Sequence, residues 1–286
     1  MHEALYNATM LLKEQPDLAS GFIPRFLSAE LPARPHMVSG IALAAIGTLA
    51  DSRGASLRAS MRTAGLPVEW RGRFRDPASL VADLTWSMAI VLSPYKRACM
   101  QLCDHVAPAA RRSRVIDTIL RTADGTLGMN TNAYAAAEAL RLLAGSESVD
   151  RVLVAGTGAA ARSLGYAAHL LYPNCQLGYV GRSAAAAQAV IEDIGMGQVV
   201  TDAGAFRPDV VVNATTVGET PGDRGSLVFD LADAFRSGVR FLDLNQHSDA
   251  LYAEALAAGC VVMLGRLMQE VTHALRVALV ADVLSD

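Results

Sequence analysis

This chain of 286 residues has few cysteines, a small net charge and no long apolar run. The four cysteines show no Cys-x-x-Cys spacing and no accompanying histidine pair, which argues against the common zinc-binding patterns, and we expect no metal. The formal net charge is only −3, so no basic field for nucleic acid is predicted. The longest apolar run, residues 41–50, is much shorter than the roughly 20 residues of a membrane helix. We therefore expect neither nucleic acid nor a membrane as the partner.

Charged residues near the N-terminus, Glu3, Lys13 and Glu14, interrupt any apolar core of a secretory signal. We therefore expect a soluble cytoplasmic protein whose cysteines are reduced and buried. Cys99 and Cys103 are four residues apart, a spacing that predicts one shared helix face.

The order of apolar segments predicts an α/β protein with two domains. Hydrophobic residues make up 52% of the chain, enough for two sizeable cores. From residue 133 onward, short apolar strands alternate with alanine-rich helices, which is typical of a doubly wound parallel sheet covered on both faces. In the first half we predict strands at 68–74, 88–92 and 115–121, helices at 56–64, 77–84 and 96–106, and a strand or helix at 41–49. In the second half we predict strands at 152–154, 177–180, 210–212, 241–244 and 261–264, and helices at 133–144 and 267–284.

Residues 151–162 form the most informative motif of the chain. The β-branched run 152–154 ends in Gly156-x-Gly158-x-x-Ala161, and an alanine-rich helical pattern follows. A strand, a glycine turn and a helix start place a pyrophosphate on backbone N–H groups. The motif therefore predicts a dinucleotide site. The predicted cofactor contacts of this turn are Gly156, Thr157, Gly158, Ala159 and Ala160.

The end of the second strand of this half indicates which dinucleotide is bound. An NAD site usually carries Asp or Glu here, to accept hydrogen bonds from the ribose 2′-OH. This chain reads Tyr-Val-Gly-Arg-Ser over 179–183, without a carboxylate. Arg182 can pair with a 2′-phosphate and Ser183 can hydrogen-bond it, so NADP is favoured over NAD. The alternative is an ordinary solvated arginine at 182.

Five short motifs follow one another in the order and spacing of a known family. Residues 156–162 are similar to its Gly-Ala-Gly-Gly-Ala-(Ala/Ser)-(Arg/Lys) turn, and residues 181–183 to its Asn-Arg-Thr. Residues 213–218 match Asn-Ala-Thr-(Ser/Pro)-x-Gly. Residues 90–96 are similar to Asn-Val-Thr-x-Pro-x-Lys, and residues 130–132 to Asn-Thr-Asp. Over about residues 45–286 the chain therefore resembles the shikimate dehydrogenase family.

This resemblance implies an NADP-dependent oxidoreductase that moves a hydride between the cofactor and the CH–OH or C=O group of a small hydroxy acid. It implies a substrate-binding domain over residues 1–132, with 1–40 as an N-terminal extension and the helix 267–286 completing it. An NADP-binding Rossmann domain is implied over 133–266. The resemblance adds three residues to the predicted cofactor contacts: Asn213, Thr215 and Gly265.

The chain departs from the family where the family binds substrate. One of two serines that bind the substrate carboxylate remains as Ser52, while the other is Gly54. The substrate-binding threonine is replaced by Leu92, and the first asparagine of that motif by Ile90. A substrate hydroxyl left unpaired costs about 1–3 kcal/mol. We therefore expect a less hydroxylated acid than shikimate, with cyclic acids among the candidates, and carboxylate contacts from Ser52, Arg53 or Arg58.

The proton-handling groups are also exchanged. The family's catalytic lysine is retained as Lys96, its aspartate is Asn132, and an asparagine that contacts substrate is Asp117. We predict that Lys96 and Asp117 handle the proton, with Asn130 or Asn132 as a neutral donor to the substrate. The other interpretation is a non-catalytic Asp117. In that case its partner would be Arg111, Arg112 or Arg114.

Thr272 replaces a glutamine that the family carries on its last helix, and we predict a substrate contact there. His247 and His273 are alternative acid–base groups. A non-catalytic NADP-binding protein stays open as a second function, favoured by the substitutions around Lys96. A methylene-tetrahydrofolate dehydrogenase is disfavoured, because Leu92 stands where that family has a tyrosine. The extension 1–40 could cover a site or form a homodimer contact.

Overall fold

The structure is a computed structural model and describes residues 21–31, 40–219, 230–245 and 249–284. The chain divides into two compact units, Met1–Tyr134 with Glu270–Asp286, and Ala135–Gln269. Most of the extension 1–40, together with His247, lies outside the described residues. Within the described ranges, no helix has the length and apolarity that a membrane span requires.

The first unit contains a mixed six-stranded sheet in the order β2-β1-β3-β5-β6-β4. All six residues of β1 are buried, whereas β2 at the sheet edge alternates between half-buried and exposed side chains. This contrast is typical of a central and an edge strand. The elements are α1 (Ile23–Glu30), β1 (Ile41–Ile46), α2 (Ala50–Thr63), β2 (Val68–Phe74), α3 (Pro77–Ala82), β3 (Met88–Val91), β4 (His105–Val106), α4 (Pro108–Ser113), β5 (Thr118–Thr122) and β6 (Gly125–Met129).

The second unit contains a six-stranded sheet in the order β12-β11-β10-β7-β8-β9, with every pair parallel. This is the Rossmann order, in which the chain reverses direction across the sheet between β7 and β10. The predicted α/β class and Rossmann-type sheet are confirmed. The elements, with two helices that contribute to both units, are α5 (Thr131–Ala144), β7 (Arg151–Ala155), α6 (Ala159–Leu171), β8 (Gln176–Val180), α7 (Ala184–Ile194), β9 (Gln198–Val199), α8 (Ala203–Phe206), β10 (Val210–Asn213), β11 (Arg240–Asp243), α9 (Asp249–Ala257), β12 (Val261–Leu264) and α10 (Arg266–Leu284).

The predicted helix 96–106 is wrong. Only a 3₁₀ turn, Cys99–Leu102, forms there, and the chain then enters β4. The cause is tertiary: β4 pairs with β6, and the Asp104 carboxylate accepts hydrogen bonds from the Thr126 N–H and hydroxyl at 2.8 and 2.9 Å. Cys99 and Cys103 therefore do not share a helix face. Cys99 is buried, as expected, whereas Cys103 is only half-buried, contrary to the expectation.

Candidate functional site

The glycine turn after β7 has the backbone geometry of a phosphate-binding loop. Gly156 has φ +124°, and a Cβ there would lie 2.7 Å from the Ala214 carbonyl oxygen at the end of β10. Gly158 is the N-cap of α6, and no described atom lies within 4 Å of where its Cβ would be. Because no described side chain caps α6, its first N–H groups can bind a pyrophosphate. The turn therefore fits a dinucleotide.

The loop after β10 is organised by Asn213. Its amide oxygen accepts from the N–H and hydroxyl of Thr215 at 3.1 and 2.7 Å, and its amide nitrogen donates to Asp243 at 3.0 Å. Asn213 is fully buried. Its position explains the Asn-x-Thr pattern as a means of shaping the loop beside the glycine turn. Gly265 likewise leaves no room for a side chain, because a Cβ would overlap the Leu244 carbonyl.

The end of β8 lies against the glycine turn. A Cβ on Gly181 would come 2.6 Å from the Thr157 methyl group, so the small residue at 181 makes room for the side chain at 157. Ser183 is the N-cap of α7, where its hydroxyl accepts from the Ala186 N–H at 3.2 Å. Arg182, between them, is exposed. An exposed arginine beside a serine hydroxyl at the start of a helix fits an anionic 2′-phosphate.

In the first unit, backbone hydrogen bonds bring Lys96 and Asp117 together at the same end of the neighbouring strands β3 and β5. Lys96 follows β3, and its carbonyl accepts from the Ile116 N–H at 3.1 Å. The Val91 N–H donates to the Asp117 carbonyl at 2.8 Å. Lys96 is 8% exposed and Asp117 is 0% exposed. The sequence prediction that these two residues are neighbours in the fold agrees with this placement.

The Asp117 carboxylate is surrounded by donors. It accepts from the Thr118 hydroxyl, from the Thr131 N–H and hydroxyl, from the Asn132 N–H, and from the Arg276 guanidinium, at 2.5 to 3.3 Å. Burial alone raises the pKa of this carboxyl, but the charges of Arg276 and Lys96 and the threonine hydrogen bonds outweigh it and lower the pKa. Asp117 is thus an ionised, hydrogen-bonded carboxylate. Its ion-pair partner is Arg276, so the alternative pairing with Arg111, Arg112 or Arg114 is wrong.

Two more of the predicted residues are in contact with each other. The Thr272 hydroxyl donates to the Asn132 amide oxygen at 3.2 Å, and Asn132 is half-buried. Asn130 is fully buried. Its amide donates to Ser113 at 2.7 Å and accepts from the Ala133 N–H at 3.1 Å. This arrangement gives Asn130 a capping role at the start of α5.

Ser52 and Gly54 lie on the first turns of α2. The Ser52 hydroxyl donates to the Leu49 carbonyl at 3.0 Å and is exposed. At Gly54, a Cβ would come 2.5 Å from the Trp70 ring. The same ring lies under the Arg58 guanidinium, 4.8 Å from its centre. The departure at Gly54 therefore has a packing reason, since Trp70 fills the space of a side chain.

His273 on α10 is an unsuitable acid at neutral pH. Burial, together with the charges of Arg276 and Arg53, lowers the pKa of its imidazole to about 3. His273 is therefore neutral near pH 7. The charge of Arg53 contributes to this lowering of the pKa. Arg53, a predicted carboxylate contact, is therefore close enough to α10 to interact electrostatically with His273.

Sequence reasoning missed Arg162 and Arg276. Both arginines are buried, at 4% exposure each. Arg276 lies in a mostly apolar part of the last helix. A charged residue among positions that are predicted to be buried indicates a buried ion pair, and this is the sequence feature that could have identified it. Arg162 is the last residue of the glycine motif, and the motif gives no sign of its contacts with distant residues.

The fold of this chain is similar to that of known enzymes. No protein-family model matches the chain. The fold is similar to the shikimate 5-dehydrogenase of Thermus thermophilus, solved with NADP(H) and shikimate, with a TM-score of 0.69 and 24% identity over 83% of this chain and 93% of that one. The fold is thus that of the shikimate dehydrogenases.

Curated proteins with the same name are similar to this chain in sequence. A shikimate dehydrogenase (NADP(+)) of Acidiphilium cryptum is 30% identical over 164 residues, 56% of this chain and 58% of that protein. One from Aeropyrum pernix is 28% identical over 232 residues, 75% and 81%. The chain spans about half the length of the curated relatives that it matches at 30% identity or more. The resemblance predicted from the five motifs is confirmed.

Proposed function

We propose that this protein is an NADP-dependent oxidoreductase that interconverts a small hydroxy acid and its keto form. The observation that carries the proposal is the placement of a nearly buried Lys96 close to a fully buried Asp117, whose carboxyl pKa is lowered in part by the charge of the lysine. A lysine beside a permanent negative charge is suited to proton transfer at a substrate hydroxyl. The relatives named above as shikimate dehydrogenases (NADP(+)) support a nicotinamide reaction.

The cofactor proposed is NADP. Its pyrophosphate would be held by the turn at Gly156 and Gly158 and by the first N–H groups of α6, and its 2′-phosphate by Arg182 and Ser183. The bound nicotinamide would supply the acceptor or donor of the hydride. The absence of a carboxylate after β8 in the sequence favours NADP over NAD.

The roles of Lys96 and Asp117 differ in this proposal. Four of the five donors that surround the Asp117 carboxylate reach Oδ1, while Oδ2 accepts from the Asn132 N–H. Because the pKa of this carboxyl is lowered, Asp117 is a weak base for a substrate proton. Lys96 moves the proton, and the negative charge of Asp117 stabilises the ammonium form of the lysine. Asn132, held by Thr272, is the neutral hydrogen-bond donor to the substrate, through its amide nitrogen.

The proposed substrate is a hydroxy acid other than shikimate. Ile90 is fully buried and Leu92 half-buried, and neither can satisfy a ring hydroxyl. The cations Arg53 and Arg276 near His273, together with Lys96, outnumber Asp117 and favour an anionic substrate. We assign the carboxylate to Ser52 and Arg53.

The decisive experiment is a screen of hydroxy acids with NADP, in which the absorbance of the reduced nicotinamide is followed and shikimate and quinate are included. We expect turnover of an acid other than shikimate, and its loss in Lys96→Met. Turnover of shikimate at the efficiency usual for its dehydrogenases would contradict the substrate assignment. Tight NADP binding without turnover of any acid would instead favour the non-catalytic function, which the substitutions around Lys96 also support.

A further inference from the structure

Arg162 lies beneath the glycine turn and contacts two other parts of the second unit. Its Nη1 donates to the carbonyl oxygens of Thr157 and Gly158 at 2.8 and 3.2 Å. Its Nε and Nη2 donate to Asp193 Oδ2 at 3.0 and 2.5 Å. One guanidinium therefore ties the turn before α6 to the last turn of α7.

These contacts determine where the turn's N–H groups point. In a trans peptide the C=O and the N–H point in opposite directions. Because the Thr157 and Gly158 carbonyls are held by Arg162, the N–H groups of Gly158 and Ala159 are directed away from it. An ion bound at the start of α6 would meet these groups already oriented.

Asp193 occupies an unfavourable place for an acidic residue. It lies in the last turn of α7, where the helix dipole disfavours negative charge. Its pairing with two nitrogens of Arg162, whose side chain is 4% exposed, compensates for this. Three residues before α7 begins, Gly181 lies close to Thr157, since a Cβ there would come 2.6 Å from the Thr157 methyl group. The last turn of α7 and the segment that leads into this helix therefore both lie against the glycine turn and the start of α6.

We propose that Arg162 and Asp193 form a positioning pair that sets the distance between the pyrophosphate site at the glycine turn and the 2′-phosphate site at Arg182 and Ser183. Neither residue needs to touch the cofactor. The pair acts by keeping the two sites at a distance that one dinucleotide can span. A ligand that binds both sites at once has a higher affinity than either of its halves alone. This inference rests on the proposed function, because it assumes that NADP is the ligand.

The test compares a whole dinucleotide with a fragment, by calorimetric titration of NADP and of adenosine 2′-monophosphate. In Asp193→Asn we expect the Kd of NADP to rise about tenfold while the Kd of the fragment changes by less than about twofold. Arg162→Lys should behave in the same way, because an ammonium cannot donate to two carbonyls and a carboxylate in a fixed plane. The matched control is Glu192→Gln, the exposed neighbouring carboxylate that pairs with Gln188, and it should change neither Kd.

Equal rises in both dissociation constants would overturn the proposal, because the pair would then affect only the stability of the unit. No rise in either constant would also overturn it, because the pair would then have no effect on binding. Thermal unfolding shows whether each variant is folded. If Asp193→Asn does not fold, Asp193→Glu keeps the charge and alters only its reach, and the same two titrations apply. A wild-type protein that binds no NADP at all would instead refute the proposed function.

Discussion

Arg276 donates to the Asp117 carbonyl at 3.0 Å and to its carboxylate at 3.3 Å, across 159 residues of sequence. Both side chains are buried, at 5% and 0% exposure. The same guanidinium also donates to the Thr118 hydroxyl at 2.9 Å. Helix α10 is therefore joined to β5 by a charged pair inside the first unit, next to the position of Lys96.

Replacing Asp117 with Asn should both destabilise the protein and abolish turnover. The substitution leaves Arg276 buried without a countercharge, which typically costs about 3–5 kcal/mol, and it removes the negative charge beside Lys96. Unfolding in urea would measure the first effect and the dehydrogenase assay the second. The control is Asp124→Asn, an exposed carboxylate in the β5–β6 hairpin, which should be neutral in both.

If the loss of stability comes from the unpaired arginine, Asp117→Leu combined with Arg276→Met should recover a large part of it. Turnover should stay lost in this double variant, since the charge near Lys96 is not restored. A double variant as unstable as the sum of the two single ones would contradict the pairing argument.

His273 should make the first unit sensitive to acid. Its folded-state pKa of about 3 lies below the ordinary 6.5, so between these values the unfolded chain binds a proton that the folded protein does not. The free energy of unfolding should therefore fall as pH drops below 6.5, by up to about 1.4 kcal/mol per unit from this group. His273→Gln should flatten this dependence, measured by urea unfolding from neutral to acidic pH. An unchanged slope in His273→Gln would contradict this assignment.

Lys96→Met should lower kcat by about 10²- to 10⁴-fold, the range usual for removal of a proton-transfer group. The Kd of NADP should stay the same, because the predicted cofactor contacts all belong to the second unit. Steady-state kinetics and calorimetric titration separate the two quantities. Arg97→Met, at the exposed neighbouring cation, serves as the control, and an equal fall in its activity would show that Lys96 has no special role.

The cofactor half could be predicted from the sequence because its signals are local. The strand, the glycine turn and the start of α6 occupy residues 151–162, and the strand 68–74 was likewise predicted to the residue. The Asp117 partner could not be predicted in this way. Three arginines lie within the six residues that precede Asp117 in sequence, but the actual partner comes from α10. The false helix at 96–106 has the same origin, because β4 forms through contacts with distant Thr126.

Alanine at the two glycines of the turn should separate folding from binding. Gly156→Ala places a Cβ against the Ala214 carbonyl at a positive φ, so a loss of stability of more than about 1 kcal/mol is expected. Gly158→Ala adds a methyl group where no described atom is near. It should leave the melting temperature almost unchanged and weaken NADP binding by obstructing the phosphates. Normal NADP binding by Gly158→Ala would contradict the assignment of the pyrophosphate to this turn.

Arg182 should decide between the two nicotinamide dinucleotides. Its exposed guanidinium can pair with a 2′-phosphate, which NAD lacks, so Arg182→Ala should raise the Kd of NADP by about ten- to a hundredfold, corresponding to the 1.5–3 kcal/mol of a charge-assisted hydrogen bond. The Kd of NAD should barely change. Arg207→Ala, another arginine of the second unit that lies outside the predicted site, controls for lost charge, because long-range attraction of the whole dinucleotide would weaken in both variants. Equal losses for NADP and NAD in Arg182→Ala would mean that this side chain contacts a part that the two cofactors share, and the preference for NADP would then need another residue.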